Sequence, residues 1–306
     1  MNFDLTDEQK LLRDGIEQVV ARHADIAAGS TAVWLPGEAL ESDLQAGGYL
    51  EIGRTEGMGS LEAALVVEAV ARSPYSVEVA ASLLVAPHIA PDHMLTRPLA
   101  LLSLPIQGAS RFVSPRGMAL LDCGDVVRVL DLSRCRVEAV DTPFAFPFGK
   151  LADVDLAQTE VLAATPALMR QWWRVALAVE IGAVARVALE LTVDYVKQRR
   201  QFNRPIGSYQ AIQHRLSECA ALVEGVQWLA RKAAAGGQAA DAAMAAAYAQ
   251  EAAARVHYDT HQFHGAMGIT HECHLHLWTY RLKALQGELG GPAAQAQAAA
   301  DALWSA

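Results

Sequence analysis

The chain has 306 residues, of which 52% are hydrophobic, and it carries a formal net charge of −9. This length is sufficient for a large core and for two or three domains. The negative charge argues against a nucleic-acid partner, because a polyanion would be repelled. No apolar run approaches the roughly 20 residues that a membrane-spanning helix needs, so we expect no membrane span.

The N-terminus and the cysteines favour a cytoplasmic protein. The first residues lack the basic region and the apolar core of a secretory signal. The four cysteines are scattered and show no C-x-x-C spacing. Scattered cysteines are typical of a reducing compartment, so we expect a cytoplasmic location.

The N-terminal third of the chain predicts a small helical domain. Thr6 and Gln9 have the spacing of a capping box, and apolar residues then recur at helical intervals. A second helical pattern covers about 60–72 and ends before Pro74. A third, more apolar helix is predicted at 76–90.

The pattern changes between about 96 and 163. Short apolar runs alternate there with turns rich in Gly, Pro, Asp and Ser, and the runs are 99–104, 118–121, 126–130 and 137–140. This pattern is typical of strands joined by turns. A region of about 60 residues is enough for a small sheet or barrel.

The rest of the chain predicts a helical bundle. Thr165 suits an N-cap and Pro166 suits the first helical position. Further helices are expected at 209–235, 241–266 and 272–288, with glycine breaks between them. The predicted fold is therefore mainly α with a small β domain. The predicted domains are an N-terminal helical domain at 1–95, a reduced middle β domain at 96–163 and a C-terminal four-helix bundle at 164–306.

A cluster of arginines lies between the first two bundle helices. Arg199, Arg200 and Arg204 fall within six residues of an otherwise acidic chain. Guanidinium groups bind phosphate or carboxylate through paired hydrogen bonds, so this turn indicates a bound anion. The alternative is that these side chains are solvated or ion-paired at a helix end.

Three segments resemble the acyl-CoA dehydrogenase family. Residues 199–214 read R-R-Q-F-N-R-P-I-G-S-Y-Q-A-I-Q-H and resemble the signature of its C-terminal domain. Residues 262–272 read Q-F-H-G-A-M-G-I-T-H-E and resemble its glycine-containing segment. The stretch that begins Phe3-Asp4-Leu5-Thr6 resembles its opening helix. The segments follow the family's order and span almost the whole chain, so the resemblance implies that family's fold.

The resemblance also implies FAD. In the family, the arginine-containing turn reaches across a subunit interface to the pyrophosphate and adenine end of an FAD that a neighbour mainly holds. Arg199 would contact the pyrophosphate, and the glycine-containing segment would pack on it. The cofactor-binding residues implied in this way are Arg199, Gln201, Phe202, Ile206, Tyr209, Gln210, Gln262, Gly265, Ala266 and Gly268. Ala266 departs from the family's usual second glycine.

The histidines raise the question of a metal site. Six of the ten histidines lie between His257 and His276, and His257 and His261 share one helical face. However, the chain has no Glu-x-x-His pair of the kind that builds metal sites in bundles. His264 fits the family segment without a metal. We therefore expect no metal site.

The resemblance leaves the catalytic base unassigned. Dehydrogenation of an acyl thioester needs a carboxylate to remove the α proton while a flavin takes the β hydride. The family places this glutamate in one of two positions. The first corresponds here to 289–292, with glycine at the base position, and the second lies close to Trp173. Glu288 is two residues before the first position.

The short middle region lacks the segments with which the family usually holds its own flavin. In this respect the chain resembles the shortened, base-lacking subunit of bacterial heteromeric (α2β2) steroid-CoA dehydrogenases. The implied partners are an acyl-CoA substrate, a second acyl-CoA dehydrogenase-like subunit in a heterotetramer, and an electron-transfer flavoprotein as electron acceptor. Two alternatives stay open: a homo-oligomeric enzyme that uses Glu288 as base, and a non-catalytic structural protein without flavin.

Overall fold

The computed structural model describes residues 4–152 and 154–304, so Phe3 of the predicted opening helix lies outside the described residues. The α-helices are α1 (Asp7–Ala21), α2 (Glu38–Ala46), α3 (Ser60–Ala71), α4 (Ala86–Ile89), α5 (Pro166–Gln198), α6 (Gln210–Gly236), α7 (Ala239–His264), α8 (His276–Gln286) and α9 (Gly291–Trp304). The strands are β1 (Leu35–Pro36), β2 (Tyr75–Ser76), β3 (Leu99–Ser103), β4 (Ser110–Arg111), β5 (Met118–Asp122), β6 (Val127–Asp131), β7 (Arg136–Val140), β8 (Phe148–Ala152), β9 (Glu160–Leu162), β10 (Arg200–Gln201) and β11 (Arg204–Pro205). Mainly helical architecture with a small β region confirms the predicted fold class.

The N-terminal region is helical, as predicted. The Thr6 hydroxyl accepts the N–H of Gln9 at 3.2 Å, and the Gln9 side chain accepts the N–H of Thr6 at 2.9 Å, which confirms the capping box. The helix predicted at 76–90 begins later, with a π-helical turn at Ala81–Val85 that leads into α4. The buried Glu78 carboxylate accepts the N–H of Ala81 at 3.0 Å, so the residues before Ala81 form a cap instead of a helical turn.

The middle region consists of two small sheets that pack face to face. One has the strand order β3-β5-β6-β9, with β3 and β5 parallel, and the other has the order β4-β8-β7 and is antiparallel. Alternate side chains from both sheets form a separate apolar cluster that includes Leu102, Leu121, Leu130 and Leu151. The predicted strands at 99–104, 118–121, 126–130 and 137–140 correspond to β3, β5, β6 and β7.

The bundle is built around α5, which has 33 residues and packs against α6, α7 and α8. Thr165 accepts the N–H of Leu168 at 3.2 Å, so the predicted N-cap is confirmed. The predicted helix at 272–288 is shorter, and α9 begins at Gly291 directly after a kinked turn. α9 packs along α7, so α8 and α9 together complete the bundle. In the part of the chain described, no helix combines the length and hydrophobicity required to cross a bilayer.

A fully buried arginine joins the three regions. Arg281 on α8 donates to the carbonyl oxygens of Ser73, Pro74 and Ala145 at 2.8, 2.6 and 3.1 Å, and to the Ser76 hydroxyl at 3.2 Å. Burial lowers the pKa of Arg281 to about 10, so the side chain stays charged at neutral pH. The domain boundaries remain predictions, but these contacts show that the regions share one interior.

Candidate functional site

The predicted arginine turn is a tight β-hairpin, which we call the arginine hairpin (residues 199–210). Arg200 and Gln201 pair with Pro205 and Arg204 in antiparallel register. Phe202 and Asn203 form the turn with φ of 50° and 64°, the left-handed pair that a two-residue hairpin requires. Phe202 is 85% exposed, so the sequence places an aromatic ring in solvent at the hairpin tip.

The hairpin arginines are available to a ligand. Arg199, Arg200 and Arg204 are exposed and form no ion pair with any residue that the structure describes. Arg200 donates to the Asn203 carbonyl oxygen at 3.0 Å, and the Arg204 guanidinium lies 3.8 Å from the centre of the Tyr209 ring. The positive charge of this surface is therefore not neutralised by any ion pair among the described residues.

The glycine segment (residues 262–268) follows α7. Gly265 has φ of +60°, and a Cβ built there would meet no atom within 4 Å, so the space above it is open to a ligand. Gly268 is buried, and a Cβ there would lie 2.9 Å from the Cβ of His264. Gln262 and Ala266 are exposed beside them. Because Ala266 is exposed, its methyl group creates no packing conflict with the described residues.

A stacked ring pair brings the hairpin and the glycine segment to the same end of the bundle. Tyr195, one turn before the hairpin, stacks on His264 with ring centroids 4.2 Å apart. His264 Nδ1 donates to the Thr260 carbonyl oxygen at 2.9 Å, and burial lowers the pKa of His264, so the ring is neutral at pH 7. The structure thus unites the two segments that the sequence analysis singled out.

A cavity of about 700 Å³ lies elsewhere, between the β region and the bundle. Its floor carries Arg111 of β4, which forms two parallel hydrogen bonds with Glu180 of α5, at 2.8 and 2.7 Å. Arg111 Nε also donates to Glu288 Oε1 at 2.5 Å, and Trp173 Nε1 donates to Glu288 Oε2 at 2.7 Å. Both oxygens of Glu288 are therefore engaged by donors.

Burial and charge oppose each other on this floor. Burial raises the pKa of Glu180 above its ordinary value, and the guanidinium of Arg111 opposes that shift. Burial alone would lower the pKa of Arg111, but the two carboxylates outweigh burial and raise it. Arg111 is therefore a permanent cation between two carboxylates.

The cavity and the arginine hairpin lie at opposite ends of α5. Trp173 is near the start of this helix and Arg199 caps its end. A rise of 1.5 Å per residue separates them by about 39 Å along the helix axis. The hairpin is therefore remote from the cavity of its own chain.

Both positions counted for a catalytic base fall in the cavity. Trp173 and Glu288 are in direct contact there, while Leu289, Gly290 and Gly291 form a turn with positive φ throughout. The glycines and Trp173 supply no carboxylate, so neither of these two positions provides a free base. Within the described residues, no group of three or more potential ligands is arranged to hold a metal ion.

Sequence reasoning missed Arg111 and Glu180. Glu180 gave a signal, because it interrupts an apolar stretch of α5 from Val175 to Ala185 and a buried carboxylate needs a partner. Arg111 gave none, since 69 residues separate it from Glu180 and only the fold brings the two together.

Comparisons with known proteins agree with this description. Residues 168–303 match the family model described as acyl-CoA dehydrogenase, C-terminal domain. The chain is 35% identical over 144 residues to "Acyl-CoA dehydrogenase IpdE2" of Mycolicibacterium smegmatis, a match that covers 47% of this chain and 44% of that protein. The matched segment is thus less than half the length of that relative.

Solved structures are similar over the whole chain. One is a chain of the ChsE4-ChsE5 complex from Mycobacterium tuberculosis, with a TM-score of 0.81, 21% identity and full coverage of both chains. Another is from a structure titled "Tcur3481-Tcur3483 steroid ACAD G363A variant", with a TM-score of 0.77, 22% identity and 98% of each chain covered. At this level of identity, the similarity shows the fold.

Proposed function

We propose that the protein is one subunit of an FAD-dependent acyl-CoA dehydrogenase. The support is that residues 168–303 match the family model for the acyl-CoA dehydrogenase C-terminal domain and that the whole chain shares the fold of the two solved structures described above. The enzyme catalyses α,β-dehydrogenation of an acyl-CoA thioester. This chain contributes its arginine hairpin to an FAD site at a subunit interface, and an unlike subunit supplies most of the flavin pocket and the catalytic base. Electrons then pass to an electron-transfer flavoprotein.

One observation carries this proposal: the chain has an available anion-binding surface that is remote from its own cavity. Arg199 and Arg204 have no acidic partner among the described residues, and about 39 Å of helix separates Arg199 from Trp173. Such a surface fits a ligand that is held mainly by another subunit. On the floor of the chain's own cavity, the donors of Arg111 and Trp173 already bind carboxylates and are not available to a flavin ring.

The residues of the hairpin end fit an FAD pyrophosphate and adenine. Arg199 supplies a charge-assisted fork for phosphate oxygens. The open space above Gly265 allows the backbone to approach a phosphate closely. Phe202, 85% exposed, and the half-buried Tyr209 present ring faces beside the charged group. His264 and Tyr195 keep the two segments in register.

The chemistry requires two events at neighbouring carbons of the acyl group. A carboxylate removes the α proton, and FAD accepts the β hydride when it is bound. In this chain, the arginine hairpin and the glycine segment would hold the pyrophosphate and adenine end of the dinucleotide. A bulky steroid side-chain thioester is the proposed substrate class. Its support is the sequence resemblance to heteromeric steroid-CoA dehydrogenases and the similarity in fold to the structure whose title reads "steroid ACAD".

One observation favours a second candidate, a self-sufficient enzyme that uses Glu288 as base. Glu288 does lie in the cavity, 17% exposed at its side chain. Its two donors weigh against this role, because both carboxylate oxygens already accept hydrogen bonds, one from Arg111 and one from Trp173.

We expect the chain purified alone to retain little FAD, and to gain it when co-expressed with its partner subunit. The reason is that the hairpin end contacts only one end of the dinucleotide. The measurement is the visible absorbance of flavin per polypeptide in both preparations. Stoichiometric flavin in the homogeneous single chain would contradict the proposal.

Glu288→Gln is expected to leave turnover of the assembled enzyme nearly unchanged. Glutamine can still accept from Trp173, and Arg111 keeps its two bonds to Glu180. Loss of a true general base costs about 10²–10⁴-fold in rate. The measurement is acyl-CoA dehydrogenation, with Glu251→Gln on the exposed face of α7 as matched control. A drop of more than about a hundredfold with FAD still bound would make Glu288 the base.

A further inference from the structure

We propose that the cavity between the β region and the bundle binds a small amphipathic carboxylate and does not react with it. The ligand's apolar body would lie against the wall formed by the β3–β4 connection, and its carboxylate would lie at Lys283 near the mouth. This inference goes beyond the proposed function, which places the chemistry at a flavin held by a partner.

The wall of the cavity fits an apolar body. The volume of about 700 Å³ lies in the range of small-molecule sites, which is about 300–1,000 Å³. The apolar side chains that line it include Leu101, Leu104, Ile106, Phe144, Phe148 and Leu289. Leu104 keeps 38% of its surface exposed, so an apolar ligand would cover surface that the chain leaves in contact with water.

The floor of the cavity does not react with a ligand. The Arg111 guanidinium is shared by Glu180 and Glu288, and both Glu288 oxygens accept hydrogen bonds. Glu78 is also engaged, since it accepts from Ser82 and from the Leu99 N–H. These polar groups are already satisfied, so a ligand needs no second polar end at the floor.

The mouth supplies one available cation. Arg170 also lines the cavity, but it pairs with the buried Asp122 at 2.8 Å. Lys283 is exposed and forms no ion pair with a described residue, and its Nζ lies 3.3 Å from Gln286 Oε1. A ligand with one anionic group at its wet end and an apolar remainder complements this arrangement.

The probe is dansylaminoundecanoic acid, and its methyl ester serves as the uncharged analogue. The acid should bind the purified chain saturably, with blue-shifted fluorescence. Leu104→Trp and Gly287→Phe, which place bulk in the cavity, should each weaken both probes at least about tenfold. A Cβ at Gly287 meets only the Ala284 carbonyl oxygen at 3.6 Å, so we expect the Gly287→Phe variant to fold.

Charge specificity is tested at the mouth. Lys283→Met should weaken the acid about threefold to fivefold and leave the ester unchanged. Lys150→Met, an exposed lysine on β8 outside the cavity, should change neither probe. Absence of saturable binding, unchanged binding in both bulk variants, or an equal response of acid and ester to Lys283→Met would overturn the inference. FAD retention by the assembled complex is measured separately, so this inference and the proposed function can fail independently.

Discussion

Replacing Arg111 by methionine is expected to lower the free energy of unfolding by about 3–5 kcal/mol. The change removes the cation between Glu180 and Glu288 and leaves a nearly buried carboxylate, 8% exposed, without its partner. Denaturant unfolding of both proteins measures the effect. Arg72→Met is the control, because Arg72 pairs with the half-exposed Glu190 and its loss should cost about 0–1 kcal/mol.

The pH dependence of this variant supplies a second test. The pKa of Glu180 is already raised by burial, and it should rise further once Arg111 is gone. A carboxyl whose folded-state pKa is raised disfavours the folded state as pH rises through that pKa. The destabilisation should therefore be larger at pH 8 than at pH 5. The double variant Arg111→Met, Glu180→Met should recover part of the lost unfolding free energy. A loss below about 1 kcal/mol in the Arg111→Met variant would show that the pair is not buried in solution.

Arg199→Ala is expected to raise the FAD dissociation constant of the assembled complex about tenfold to a hundredfold. A charge-assisted bidentate contact is worth about 1.5–3 kcal/mol, whereas a solvated arginine contributes under about 0.5 kcal/mol. FAD titration of the apo complex gives the constant directly. Arg116→Ala, at an exposed turn of the β region, is the matched control. Equal FAD affinities of the Arg199→Ala variant and the parent would show that Arg199 is a solvated surface residue that does not bind FAD.

Local chemistry explains which elements the sequence predicts well. Thr6 and Thr165 are capping residues whose partners lie three residues away, so both helix starts can be identified without the fold. The glycine pair at 290–291 ends one helical pattern. Gly291 is also the first residue of α9, and Pro292 suits the first turn of that helix. The short α2 buries only Leu40 and Leu44, which is too weak a periodic signal to predict it.

The candidate site divides in the same way. The arginine hairpin and the glycine segment are contiguous in sequence, so their composition and their resemblance to a family identify them in advance. The cavity depends on Arg111 meeting Glu288 across 177 residues, and no local pattern encodes that pairing. Its polar floor is formed by residues of β4, α5 and the turn after α8, which only the fold brings together.

The buried guanidinium of Arg281 limits how far the β region can be shortened by deletions. It takes one hydrogen-bond acceptor from the stretch that ends near Phe146, at the Ala145 carbonyl, and the others from the Ser73–Ser76 turn. Insertions and deletions elsewhere in the β region leave those acceptors in place. A deletion that removed Ala145 would leave the buried Nε of Arg281 without its acceptor, while the contacts to Ser73, Pro74 and Ser76 remain. Shortening at this residue therefore costs an unsatisfied buried donor unless Arg281 changes with it.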